Sequence, residues 1–261
     1  MEAAFFDLDK TVISKSSSLA LTRPFFRAGL VTRSQLLRGA YAQLVYLMIG
    51  ADEKRMERAK DGMLALTKGW DKVEVEAVIQ EALQEVVDPY IYQEALDLIS
   101  LHKALGRRVY IVSSSPEGVV RPLAERLGVD DVMATRAEVV DGKFTGNLEF
   151  YCYREKKAEA MHALGDIDLE GSYAYSDSIT DLPMLEAVGN PVAVNPDREL
   201  RKIAQQRGWK IRDFRRPVRL RQRLGPVRRP SPVALVAGAA TLALVLAWVF
   251  LRGRLGRRRA A

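Results

Sequence analysis

The segment Ala3-Ala4-Phe5-Phe6-Asp7-Leu8-Asp9-Lys10-Thr11-Val12 runs four apolar residues straight into two carboxylates spaced one residue apart. A short buried strand ending in acid is how an open α/β sheet presents chemistry, because ligands bind beyond the carboxyl ends of its strands. On an extended strand end Asp7 and Asp9 point to the same side. Two carboxylates on one side repel, so they call for a cation or a shared proton. A hard, oxygen-seeking cation such as Mg²⁺ fits, held by a few protein carboxylates plus a phosphate. Taken alone, Asp-x-Asp is a weak signal, since acidic turns after strands are common.

Further pieces of the same kind follow. Arg108-Val109-Tyr110-Ile111-Val112 is a second buried strand, and it runs into Ser113-Ser114-Ser115-Pro116-Glu117. Ser115 with Pro116 next fits a helix N-cap and a first-turn proline, the helix running to Leu127 with Gly128 as its stop. Hydroxyls and free amides at such a junction suit an anion such as phosphate, which makes Ser113 and Ser114 candidates for binding one. Capping explains any single serine equally well. Val132 to Thr135 is a third short strand, and Val139 to Phe144 a hairpin with an Asp-Gly turn. Arg154 to Leu164 reads as a helix closed by Gly165 and opening with Lys156-Lys157. A lysine at a helix start opposes the helix dipole, so one of the pair is a candidate for facing an anion, with ordinary surface lysines as the plain alternative. Tyr173-Ala174-Tyr175-Ser176-Asp177 again ends a strand in acid, and Asp181 follows four residues later. Asp181 can simply cap the next helix; Asp177, at a strand end, has no such explanation. Pro191 to Val194 and Trp209 to Ile211 supply further strands around a helix from Asp197 to Arg207.

Leu19 to Leu105 reads as helical, with Ser34 to Ile49, Met56 to Leu66, Val75 to Val87 and Ile91 to Leu105 carrying apolar residues at three-and-four spacing. No strand-like run interrupts it. This is an insert rather than part of the sheet. Over an acidic strand end it serves as a cap that excludes water and selects substrate.

Composition narrows the class. At 261 residues the chain holds one large or two modest domains. Cys152 is the one cysteine, which excludes an internal disulfide framework and suits a reducing compartment. His102 and His162 cannot build a multi-histidine metal site and read as ordinary helix residues. The net charge of +7 is uneven: residues 212–261 carry 13 Lys and Arg against one Asp, and the rest is mildly acidic. The positive charge flanks an apolar run, which favours a membrane surface over nucleic acid. The first apolar run stops at Asp7 behind a non-basic Met1-Glu2, so a signal peptide is not expected.

In chain order, Asp7-x-Asp9-x-Thr11, the strand ending at Ser113, Lys156-Lys157, and Ser176-Asp177-x-x-x-Asp181 resemble the motifs of the haloacid dehalogenase superfamily of phosphohydrolases. Within it the chain is similar to the phosphoserine phosphatase-like branch, which carries a helical cap between the first two motifs. The resemblance covers about residues 1–211. It implies an α/β fold with a Rossmann-like parallel sheet, residues 1–14 and 106–211 forming the core and 15–105 the cap. It implies an Mg²⁺-dependent phosphomonoester hydrolase acting on a small phosphorylated substrate. Asp7 matches the nucleophile that forms an aspartyl-phosphate, and Asp9 the acid, then base. The metal falls to the Asp7 carboxylate, the Asp9 main-chain carbonyl and Asp177. Ser113 matches the phosphate-binding hydroxyl, Lys157 the lysine that pairs with phosphate and nucleophile, with Lys156 one step away as the alternative. Asp181 supports metal or lysine, and Thr11 closes the first motif and orders its loop. Two positions depart from the family. Ser16 stands where phosphoserine phosphatases carry a substrate-binding glutamate, which puts phosphoserine in doubt as substrate, and Ser176-Asp177-Ser178 replaces Gly-Asp-Gly. Asp9-Lys10-Thr11 also resembles the phosphorylated motif of ion-pumping ATPases, but Val12 replaces its glycine. A phosphotransferase using the same intermediate, and a non-catalytic membrane-anchored binding module, are the rival functions.

The tail extends this reading. Val233 to Leu251 is nineteen residues without a charge, just long enough to span a bilayer, behind a Pro- and Arg-rich linker at 212–232 and ahead of a basic end at 252–261. A single-pass C-terminal transmembrane helix is expected, with a lipid or lipid-headgroup phosphate as one substrate class. Arginines cluster on both sides of the span, so charge leaves its orientation open. Mg²⁺ use and the lone cysteine favour a cytoplasmic body.

Overall fold

The computed structural model describes residues 1–33, 61–62, 64–86 and 90–218. The expected helix over Ser34 to Ile49, part of that over Met56 to Leu66, and the apolar segment 233–251 with its basic flanks lie outside those residues. Among the described residues no helix is long and apolar enough to cross a membrane.

Ala3–Phe6 form β1, wholly buried on both faces, as a central strand of a two-sided sheet must be. The other strands are β2 (Ile91–Tyr92), β3 (Arg108–Pro116), β4 (Asp131–Val140), β5 (Lys143–Phe150), β6 (Tyr173–Ser176), β7 (Asn190–Val194), β8 (Lys210–Arg212) and β9 (Pro217–Val218). The helices are α1 (Ser17–Arg27), α2 (Lys72–Val86), α3 (Gln93–Ala104), α4 (Glu117–Leu127), α5 (Glu155–His162), α6 (Leu182–Glu186) and α7 (Arg198–Gln206). Seven strands form one sheet in the order β5-β4-β3-β1-β6-β7-β8, parallel except for the β4–β5 pair. The parallel sheet expected from the sequence is therefore present. Its order runs outward in both directions from β1, so the crevice beyond β1, between β3 and β6, is the topological switch point where ligands bind.

Alternation along β1 divides the core. Ala4 and Phe6 face one cluster with Val109, Ile111 and Tyr175 under α3 and α4; Ala3 and Phe5 face the other with Tyr110, Val112 and Met161 under α5 to α7. Phe6 stacks on Tyr175 at 4.3 Å and Phe5 on Tyr110 at 5.4 Å, fixing β1 between its neighbours. The β4–β5 turn has the expected Asp-Gly form, with Asp141 and Gly142 both at positive φ.

Four readings need correction. The segment Ile91 to Leu105 was expected in the insert; instead α3 packs on the sheet through Ala95, Leu98 and Ile99. The insert's connections lie side by side earlier: Tyr92 N donates to Val12 O and Ser14 N to Tyr90 O. Second, the insert region is not free of strands, because β2 pairs with β9. Third, the linker expected from 212 starts inside the folded body. Phe214 is buried against Tyr92, its amide donates to Asn195 Oδ1, and β9 follows. Fourth, Ser115 does not cap α4, since β3 continues to Pro116.

His102, expected as an ordinary helix residue, is a buried one. Arg107 Nη1 can only donate, so the His102 Nδ1 that it faces at 3.5 Å accepts, and Nε2–H donates to Tyr175 Oη at 2.8 Å. Burial, followed by the Arg107 charge, pushes its pKa down to about 4. The unfolded chain binds this proton at higher pH than the folded one, so the contribution is complete above the ordinary value of 6.5 and fades as pH falls toward 4. Urea titrations of wild type and His102→Asn should show the wild-type advantage shrinking across that window by on the order of 3 kcal/mol. Phe214→Ala should cost about 3 kcal/mol in the same assay, as for a buried aromatic and not a linker residue.

Candidate active site

The register brings three strand ends together. Phe6 lies opposite Ile111 on one side and Tyr175 on the other, so Asp7, Ser113 and Asp177 all emerge at the carboxyl edge of the sheet. β1 stops before Asp7, and Val12 N and Ile13 N both donate to Leu8 O, closing a tight turn with Lys10 at positive φ. Asp7 and Asp9 therefore sit in a turn, and the same-side placement of an extended strand does not govern them. They have separate partners.

Asp7 meets Lys157. The lysine projects from α5 with 2% of its surface exposed, its Nζ 2.7 Å from Asp7 Oδ1 and 2.8 Å from Asp181 Oδ2. Asp181 also accepts from Ser176 Oγ at 2.7 Å, and it makes no capping bond to α6. This decides between the two lysines, because Lys156 is exposed and pairs with Glu159. Burial alone would lower the Lys157 ammonium, but Asp181 and Asp7 outweigh it and hold the pKa well above its usual value.

Asp9 lies on the other side of the turn. Its Oδ1 accepts from Ser17 N at 2.9 Å, while the hydroxyls of Ser17, Ser16 and Ser115 lie 3.3–3.4 Å from Oδ2, one of the Ser17–Ser115 pair donating to the other. Burial raises its pKa against the pull of these hydrogen bonds. Ser113 is 1% exposed and its Oγ accepts from Ser115 N; Ser114 has an exposed side chain, and only its carbonyl is engaged, by Thr135. Thr11 Oγ1 is buried without a hydrogen-bond partner among the described residues.

Asp177 is a carboxylate without an ion pair, its hydrogen bond coming from its own main-chain amide. It is 8% exposed and, among the described residues, takes no side-chain hydrogen bond or ion pair, although its main-chain oxygen accepts from Asp197 N. Burial pushes its pKa up to about 7, with Lys10 pulling it down and Asp181 pushing it up. Asp7 is raised by burial and feels both Asp177 and Asp181 as like charges. Three buried carboxylates thus share one buried ammonium, and a cation is what balances them. No three His, Cys, Asp or Glu side chains among the described residues are grouped to hold a metal by themselves. The set implied above is different: two carboxylates and a main-chain carbonyl, all hard oxygens that suit Mg²⁺ with water and phosphate completing the shell.

The sequence reading overlooked Ser16, Ser17 and Ser115 around Asp9, and Asp197, whose carboxylate accepts from Ile179 N and Leu200 N and so pins the last motif loop to α7. Nothing in a sequence says which hydroxyl of the serine-rich stretch Ser14–Ser18 turns inward.

The chain is similar to known hydrolases. Residues 4–186 match the family model of haloacid dehalogenase-like hydrolases. An inhibition of morphological differentiation protein from Streptomyces azureus is 51% identical over 97% of this chain and 94% of its own length. A probable phosphatase from Mycobacterium tuberculosis is 48% identical over 95% and 90%. A phosphoserine phosphatase from the same organism is 33% identical over 92% and 79%. Among solved structures, a protein of unknown function from Bordetella pertussis Tohama I is 32% identical, with a TM-score of 0.72 over 81% of this chain and 98% of that one. A substrate-bound phosphoserine phosphatase complex shares the fold, with a TM-score of 0.59 at 22% identity over 85% and 96%.

Replacing the buried lysine should separate it from its neighbour. Lys157→Gln should lose at least about 10²-fold of any phosphatase activity and about 3 kcal/mol of stability, since it strands buried carboxylates. Lys156→Gln should stay within about twofold in both, as an exposed pair does. Phosphate release and urea unfolding on the two variants check this.

Proposed function

The chain belongs to the haloacid dehalogenase-like hydrolase family and is a phosphatase of its phosphoserine phosphatase-like branch; on that premise we propose that it hydrolyses a small phosphate monoester in two steps through an aspartyl-phosphate on Asp7. The observation that carries this reading is the buried Asp7–Lys157–Asp181 array beside Asp177, a buried carboxylate that forms no ion pair among the described residues. In the first step an Asp7 carboxylate oxygen bonds to phosphorus as the bond to the leaving oxygen breaks, and Asp9 gives that oxygen a proton. In the second, water attacks the same phosphorus, Asp9 takes the water's proton, and the Asp7–phosphorus bond breaks. Lys157 orients Asp7, favours its ionised form against burial, and offers its charge to the phosphoryl oxygens. Ser113, at the end of β3, supplies a phosphate-binding hydroxyl, and Thr11 a buried hydroxyl beside the turn. Mg²⁺, held by Asp7, Asp177 and the Asp9 carbonyl, would neutralise phosphate charge.

The substrate is a small phosphorylated molecule, in keeping with the phosphoserine phosphatases that the chain resembles. Ser16, in the position of their substrate-binding glutamate, supports an ester other than phosphoserine. For localisation we propose that residues 233–251 anchor the chain in a membrane with its body in the cytoplasm, supported by nineteen uncharged residues between arginine clusters. A lipid headgroup phosphate is then within reach.

Phosphate release by the full chain, with and without Mg²⁺, on phosphoserine, phosphoethanolamine, phosphocholine and lysophosphatidate tests the reading. Turnover should require Mg²⁺, vanish with EDTA, and fall at least about 10³-fold in Asp7→Asn. Metal-independent turnover, or an active Asp7→Asn protein, would overturn it. Retention of the full chain in carbonate-washed membranes, and its loss when 233–261 are removed, would support the anchor; release of the full chain by carbonate would refute it.

A further inference from the structure

We infer that Ser17 and Ser115 are positioning residues for Asp9, gripping its carboxyl from two separate parts of the chain; this rests on the reading of Asp9 as the group that protonates the leaving oxygen. Asp9 Oδ1 is fixed by the Ser17 amide at 2.9 Å. Its Oδ2 faces Ser17 Oγ at 3.3 Å and Ser115 Oγ at 3.4 Å, and these two hydroxyls touch each other at 2.8 Å across 98 residues of sequence. Ser17 and Ser115 are 1% and 5% exposed, so water does not compete for them, whereas Ser16, the third hydroxyl near Oδ2, is only half-buried. Each hydroxyl is one donor and an acceptor on a freely turning bond. The cluster can therefore keep hold of the carboxyl both before and after a proton leaves it.

Among the described residues neither hydroxyl has a partner outside this cluster. α1 and α4 have no side-chain cap, and their cap positions are Ser16 and Pro116. Ser17 opens α1, the first helix of the insert, and Ser115 ends β3 in the core, so Asp9 is fully held only when the start of the insert is seated on the end of β3. The same turn of β3 ties in the phosphate side of the site, because Ser115 N donates to Ser113 Oγ.

Leaving groups of unequal need for a proton isolate this role. The full chain would be assayed for kcat/KM on 4-nitrophenyl phosphate and on phenyl phosphate, since this parameter covers the steps up to expulsion of the phenol. 4-Nitrophenolate departs readily without a proton; phenolate does not. Ser115→Ala should lose about tenfold or more on phenyl phosphate, a loss at least about fivefold larger than on 4-nitrophenyl phosphate. Ser17→Ala should do the same, the double variant should lose less than the product of the two, and Ser115→Thr should recover the phenyl phosphate rate. Thermal unfolding of each variant separates misfolding from mispositioning. Equal losses on both esters, or no loss in folded Ser115→Ala and Ser17→Ala, would overturn the inference while leaving the phosphatase reading intact. A wild-type chain inactive on both esters, or an active Asp7→Asn protein, would instead overturn the reading of the site itself.

Discussion

One buried ammonium holds this site together. Lys157 is 2% exposed and, among the described residues, is ion-paired with Asp7 and Asp181, and those carboxylates, with Asp177 beside them, could not share so dry a crevice without it. The strand ends deliver the acids, and α5 delivers the base that makes them tolerable. The arrangement is deliberately short of positive charge by the width of Asp177, and that shortfall is what a phosphate-bearing, cation-dependent reaction can use.

The fold explains why the charges meet there. The strand order reverses at β1, which opens a crevice at the carboxyl end of that strand, and Asp7 lies in it. Two apolar clusters of opposite facing lock β1 from both sides, and aromatic stacking by Phe5 and Phe6 removes the slack that would let the acid move relative to Lys157. Below this, His102 and Tyr175 form a buried polar contact on the way to Asp177.

Much of this was legible in the sequence. Strands that are buried on both faces read as plain apolar runs, and acids placed just after them are conspicuous, which is why β1, β3 and β6 and the residues Asp7, Asp177 and Asp181 could be picked out. The choice between Lys156 and Lys157 could not be made, because one residue of helix rotation separates a buried ion pair from a surface one. The cap boundary was misjudged for a related reason: α3 has the same three-and-four spacing as the insert helices, and periodicity says that a face is buried without saying against what. Phe214 was lost in a basic stretch, since a single aromatic among arginines carries no pattern. The grip of Ser17 and Ser115 on Asp9 depends on a contact across 98 residues, which local sequence does not encode.

The central claim is that Asp7 carries the phosphoryl group. The most direct test is to mix the full chain with phenyl phosphate and Mg²⁺, quench in acid within a turnover, and map the phosphoryl adduct by peptide mass spectrometry. The account predicts an acid-stable, hydroxylamine-sensitive adduct on the peptide containing Asp7, at the Asp7 carboxylate. Turnover with the adduct on another residue, or with none on Asp7 when Asp9→Asn is given 4-nitrophenyl phosphate, whose leaving group needs no proton, would contradict it.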